Sequence, residues 1–281
     1  MTRALAFFML SLTLFSAGPV RAEQDDMNLL FTAQEWQAKG NLEAARRAVQ
    51  EALALEPQNA FARIRLAQID AASGQLQAAL GGLSEVLRFD PDNLLALLWR
   101  AHVSLADGKP ADAAASYGRV LELDPANGWA NLGVAACLLA QGQAKQAVAP
   151  LSKAQGLAGE DADLHLALGD TFLRMGLPAN ARMELERSLE LNPRGVRTLV
   201  LAGEAYLKMG LEGLAMNAWR QALALDPACD PARFDLLFAL GRQAGRAMAE
   251  DRQDEAVRTW RTMLSYDPLN PEALGALRGL K

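Results

Sequence analysis

The chain has 281 residues, of which 51% are hydrophobic but only 6% aromatic, and a formal net charge of −5. That is enough apolar material for a large core, and an alanine-rich composition suits helices. An acidic chain with no lysine/arginine cluster sets aside DNA, RNA or an anionic membrane surface as the main partner, because each needs a net basic face.

In chain order, residues 1–22 stand apart from the rest. Arg3 supplies a charged start, Ala4 to Ala17 is uncharged and mostly apolar, and Gly18-Pro19 breaks any helix. Val20-Arg21-Ala22 then places small residues at −3 and −1 of a cleavage point, which together read as a secretory signal peptide cut after Ala22. The competing reading is an uncleaved anchor, but a span needs about 20 apolar residues and this core is shorter. No cysteine lies near its end, so no lipoprotein attachment is expected. The expected mature chain is periplasmic or secreted, from a bacterium, with no direct membrane binding. Without Arg3 and Arg21, 26 basic residues face 33 acidic ones, a net charge of −7.

From about residue 26 the chain repeats itself, and residues 196–229 show the unit best. Leu199, Ala202, Gly203 and Tyr206 recur at i, i+3, i+4 and i+7, one stripe of a helix. Gly210 follows where a helix end favours positive φ. Leu211, Leu214, Ala215, Ala218, Trp219, Ala222 and Leu223 form a second stripe, and Asp226-Pro227 stops it. Small residues at Gly203 and Ala215 let the two helices approach, with Tyr206 and Trp219 beside them. Pro57, Pro91, Pro125, Pro193, Pro227 and Pro268 are spaced 34, 34, 68, 34 and 41 apart, with Gly159 in the skipped slot. Gly40, Gly74, Gly108, Gly142, Gly176 and Gly210 keep the same step, as do Ala45, Ala79, Ala113, Ala147, Ala181 and Ala215.

This pattern resembles the tetratricopeptide repeat, a 34-residue helix–turn–helix. The resemblance covers about residues 26–281. It implies an all-α, right-handed superhelical solenoid whose concave groove is lined by the first helix of each repeat. Repeats are expected at about 26–59, 60–93, 94–127, 128–161, 162–195, 196–229 and 230–270, and a capping helix at 271–281, with Leu274, Leu277 and Leu280 on one stripe. Asn59, Asn93, Asn127, Asp161 and Asn270 suit N-caps. Repeats two and three depart from the family pattern: Asp70 and Ser104 stand where it favours an aromatic, and Arg100 where it favours leucine. The seventh repeat is seven residues longer, about two helical turns. Residues 231–249 are read as a lengthened first helix, either a protruding ledge for a partner or a tolerated extension.

No catalytic constellation is visible, and neither a cofactor nor a metal is expected. Of the two histidines, His165 falls in a core column and reads as packed. Cys137 and Cys229 form no CxxC, and zinc needs about four close ligands. Helix layers about 8–10 Å apart would separate the two cysteines by on the order of 20 Å, beyond disulfide reach. The acids Glu160, Asp161 and Asp163 sit at a helix start, where they favour the dipole.

The first helices carry an asymmetry. One set of positions in repeats two to four offers Phe61, Gln68, Leu95, Trp99, His102 and Trp129, either a slot for an apolar ligand or packing between repeats. Repeats five and six offer Asp163, Asp170, Arg174, Arg197, Glu204 and Lys208, a polar counterpart or merely a solvated face. Some members of the family clamp a terminal carboxylate with lysines and asparagines, and that set is missing here. The function expected is a non-enzymatic adaptor that holds a protein or peptide partner. The alternative is a self-associating scaffold or a subunit of an envelope machine: secretion, pilus, polysaccharide export or cytochrome maturation.

Overall fold

The structure, a computed structural model, describes residues 21–280. The expected signal peptide lies outside the described residues except for Arg21 and Ala22, which open the first helix.

Among the described residues there are fifteen α-helices and no strand. Seven pairs follow one another: α1 (Arg21–Ala38) with α2 (Leu42–Leu55), α3 (Ala60–Ala72) with α4 (Leu76–Phe89), α5 (Leu94–Ala106) with α6 (Pro110–Leu123), and α7 (Gly128–Ala140) with α8 (Ala144–Leu157). Then come α9 (Ala162–Arg174) with α10 (Pro178–Leu191), α11 (Val196–Lys208) with α12 (Glu212–Leu225), and α13 (Asp230–Ala249) with α14 (Gln253–Tyr266), before α15 (Pro271–Gly279) closes the array. The chain divides into two compact units between Gly159 and Glu160, one holding α1–α8 and the other α9–α15. Within each unit, every helix packs on the next in sequence. First helices also touch one another across repeats, α3 on α5 and α5 on α7 in the first unit and α9 on α11 in the second.

Local chemistry sets the boundaries. The Oδ1 atoms of Asn59, Asn93 and Asn127 accept the backbone N–H of Ala62, Ala96 and Ala130 at 2.9–3.0 Å, satisfying donors that a helix start leaves open. Asp161 and Asn270 cap α9 and α15 in the same way. The six link glycines sit at φ between +73° and +79°. In the longer seventh repeat Asp251 holds that left-handed place, at φ 58°.

The close approach of paired helices depends on Gly203. A Cβ there would lie 2.2 Å from Trp219 Nε1. Trp219 is fully buried, and its indole N–H donates to the Val200 carbonyl at 3.2 Å. Gly203→Ala is therefore expected to destabilise by about 1–3 kcal/mol or more through overpacking, measured by urea unfolding.

Two of the departures in repeats two and three, Asp70 and Arg100, have polar partners. Arg46 forms an ion pair with the buried Asp70 at 2.7 Å, and Arg100 Nε donates to Ser116 Oγ at 2.9 Å. Burial pushes the Asp70 carboxyl up, and Arg46 opposes this. His165 is buried as its column requires, but against a carboxylate: its Nδ1 lies 2.7 Å from Glu184 Oε2. Cys137 is buried, Cys229 half-buried, and both are free thiols. Burial pushes the Cys137 thiol up to about 11, which leaves it unreactive at neutral pH.

Helix α13 runs for 20 residues against 13 in α11, as the seven-residue insertion predicts. The added turns do not stand free. Arg246 donates from Nη1 to Glu212 Oε1 at 2.9 Å, with Nη2 on the other oxygen, and Arg242 lies 3.5 Å from the same carboxylate. The extension is thus tied to the start of α12, beside a shallow depression of about 670 Å³ lined by Gly210, Leu211 and Leu214 among others. The reading of a protruding ledge gives way here, because Glu212 holds the added turns back against the previous repeat.

Candidate binding face

Three positions per first helix are exposed or half-buried and share one side of the helix. In α1 they are Met27, Gln34 and Ala38, all exposed and separated by seven and four residues, which keeps them on one side of a helix. Each recurs at steps of 34: Phe61, Leu95 and Trp129; Gln68, His102 and Ala136; Ala72, Ala106 and Ala140. The columns of Leu30 and Gln37 form the floor between them. Across α1, α3, α5 and α7 these five columns contain no lysine, arginine, aspartate or glutamate. Phe61 is 40% exposed, and Leu95, Trp129, Gln68 and His102 are half-buried.

Trp99 does not belong to this face. It is only 4% exposed and forms part of the buried core of the first unit. Its column, with Arg65 and Gly133, is rotated toward the second helix of the preceding repeat. A Cβ on Gly133 would lie 2.2 Å from the Tyr117 ring on α6. The expectation that Trp99 lines the groove is therefore corrected to packing between repeats. Trp99 meets the face through an edge-to-face contact with His102, ring centroids 5.7 Å apart.

Three residues of this region escape the sequence reading: Met27, Phe31 and Gln34, all exposed on α1. A signal for them exists, since each stands 34 residues before Phe61, Arg65 and Gln68. The prolines that set the register, however, begin only at Pro57, before the second repeat. Arg65 lies at the edge of the face. Its Nη1 donates to Gln68 Oε1 at 3.2 Å and its Nη2 to Gln34 Oε1 at 3.3 Å, and the guanidinium sits 5.6 Å from the Phe61 ring centroid.

In the second unit the two floor columns stay mostly aliphatic, while the three outer columns are mostly charged. Asp163 is half-buried beside Asp161, and burial followed by that neighbour pushes its carboxyl up. Burial lowers Arg197, and Asp170 opposes this. Lys208 lies 3.5 Å from Glu204, and Arg174 is exposed. Further along, Phe234 and Phe238 occupy the columns of Val200 and Glu204, 71% and 56% exposed. Among the described residues no three potential metal ligands cluster, and no helix is long and apolar enough to cross a membrane.

Burial, then Glu204, pushes the Asp235 carboxyl above its ordinary range. A folded-state value above the unfolded one means that stability is lost as pH rises through it. Asp235→Asn is thus expected to melt higher than the parent at pH 7. The difference should vanish at pH 3, where the parent carboxyl is protonated whether folded or not. Calorimetry at the two pH values checks this.

Residues 37–100 and 104–170 match one family model of the tetratricopeptide repeat, and residues 166–228 match a second. Together these span more than half of the chain. The chain belongs to the tetratricopeptide repeat family. Proteins of this family are generally non-catalytic scaffolds for protein or peptide partners. The helix pairs also resemble solved structures. A thermophilic tetratricopeptide repeat protein of Thermus thermophilus is 23% identical with a TM-score of 0.56, over 64% of this chain and 98% of that one. PilW, a type IV pilus biogenesis factor, is 20% identical with a TM-score of 0.57, over 76% and 99%. At these identities the likeness shows the fold. No curated protein matches this tetratricopeptide repeat chain.

Proposed function

We propose that this chain is an exported, non-enzymatic adaptor that holds a segment of a partner protein against the first-helix face of its first unit. The observation that carries the reading is the uncharged face itself. Twenty positions on the four first helices α1, α3, α5 and α7 hold no lysine, arginine or acid, in a chain where 22% of residues are charged. Phe61, Leu95 and Trp129 stand on it partly open to water. Such a surface favours an apolar segment and offers nothing to a polyanion. Export rests on the N-terminal pattern of Arg3, the apolar run and Val20-Arg21-Ala22.

Two measurements test it. N-terminal sequencing of the protein from an envelope fraction should begin at Glu23; a start at Met1 in membranes would overturn export. Immobilised protein exposed to envelope extract should retain a defined partner that is lost with Trp129→Ala. A second reading, self-association in an envelope assembly, is favoured by Phe234 and Phe238. Light scattering at several concentrations separates the two: an adaptor without its partner scatters at constant mass.

A further inference from the structure

Arg65 is out of pattern. Its column holds Phe31, Trp99 and Gly133 in the other first helices of its unit and Ala167 and Leu201 in the next two, residues suited to packing between repeats; Asp235 of α13 is the other charged residue in it. An arginine here serves packing poorly. It also lacks a counter-charge: among the described residues no carboxylate forms an ion pair with it, and its Nε is buried with no hydrogen-bond partner. Burial alone lowers its pKa, with no acid opposing. A half-buried cation without an anion is unfavourable, and it persists where something else compensates. Its two contacts are carboxamide oxygens, of Gln34 and Gln68, which leave both amide N–H₂ groups to donate elsewhere.

We propose that Arg65, with Gln34 and Gln68, receives the side-chain carboxylate of an aspartate or glutamate inside an otherwise apolar partner segment. This rests on the first-helix face being the binding surface. The guanidinium fork and the carboxamide donors match a planar, two-oxygen acceptor. Charge complementarity selects an acid, since Arg65 adjoins a face with no other fixed charge. Position selects a side chain over a chain end. Exposed Met27 and Phe31 lie on one side of Arg65, and Leu95 and Trp129 on the other, so the segment continues in both directions. Phe61 lies against the guanidinium, its ring centroid 5.6 Å away.

The test is selection from a random nonapeptide library on the purified protein, followed by synthesis of the selected peptide and of its analogue with the acid changed to the amide. The expected result is one enriched acid between apolar residues, with the amide analogue bound at least tenfold more weakly. Arg65→Gln should bind the two peptides alike, and Arg65→Lys, which keeps the charge without the fork, should retain part of the preference. Arg65→Gln should melt no lower than the parent when no peptide is present, which separates lost recognition from lost folding. Apolar peptides selected without an acid, or an acid preference that survives Arg65→Gln, would overturn the proposal and leave the adaptor reading standing, provided those peptides lose affinity for Trp129→Ala. Peptides that bind Trp129→Ala as well as the parent, or no enrichment at all, would remove both.

Discussion

Trp99→Ala lowers the stability of the folded chain by about 3–5 kcal/mol, with or without a partner, when followed by urea unfolding. Trp99 is almost fully buried in the core cluster of the first unit, among Leu83, Leu97, Val103 and Tyr117. Truncating it removes the transfer energy of the indole and leaves a cavity between α5 and the preceding repeat, and a close-packed interior collapses only in part. A repeat array is stabilised by its nearest-neighbour interfaces, so this loss falls on the coupling of two repeats. The unfolding transition should broaden or split as well as shift. A change below about 1 kcal/mol would show that the column of Arg65, Trp99 and Gly133 is not where the chain packs one repeat on the next.

Trp129→Ala behaves in the opposite way. The residue stands two positions into α7, half-buried, in the open column of Phe61 and Leu95. Fully burying an aromatic removes about 150–250 Å² from water, worth about 4–6 kcal/mol gross at 25 cal/mol per Å². With half of that already gained in the free protein, a partner would gain on the order of 2–3 kcal/mol from the remainder. Trp129→Ala should therefore weaken binding by about 2 kcal/mol, close to 30-fold, as hot-spot residues do. The melting temperature should move little by comparison. Iodide should quench Trp129 fluorescence in the free protein, while Trp99 and Trp219 stay protected. A large fall in melting temperature with unchanged binding would place Trp129 in the core and leave the face without its main anchor.

Local chemistry made much of the fold legible in the sequence. A proline after an acid or an asparagine, a glycine at six of the seven links and an asparagine before α3, α5, α7 and α15 act within a few residues of themselves. Their spacing therefore marks α3, α5, α7, α9, α11 and α13 to within a residue, and the insertion of seven announces the added turns of α13. The small residue opposite a large one, Gly203 with Trp219, is equally local, since both belong to one hairpin. What lies between repeats was not legible. Trp99 and Trp129 are both tryptophans on first helices, in columns about 40° apart around the helix axis. Only the packing of each first helix on the second helix before it turns one column inward, where Gly133 meets Tyr117, and leaves the other open. The partners of out-of-pattern polar residues are hidden for the same reason. Asp70 is acceptable because Arg46 reaches it from the previous repeat, Glu212 holds Arg246 from 34 residues away, and Arg65 touches two glutamines on two helices. A sequence states which side chains exist and on which side of their own helix they stand; the angle between neighbouring helices decides which are buried, which pair and which meet water.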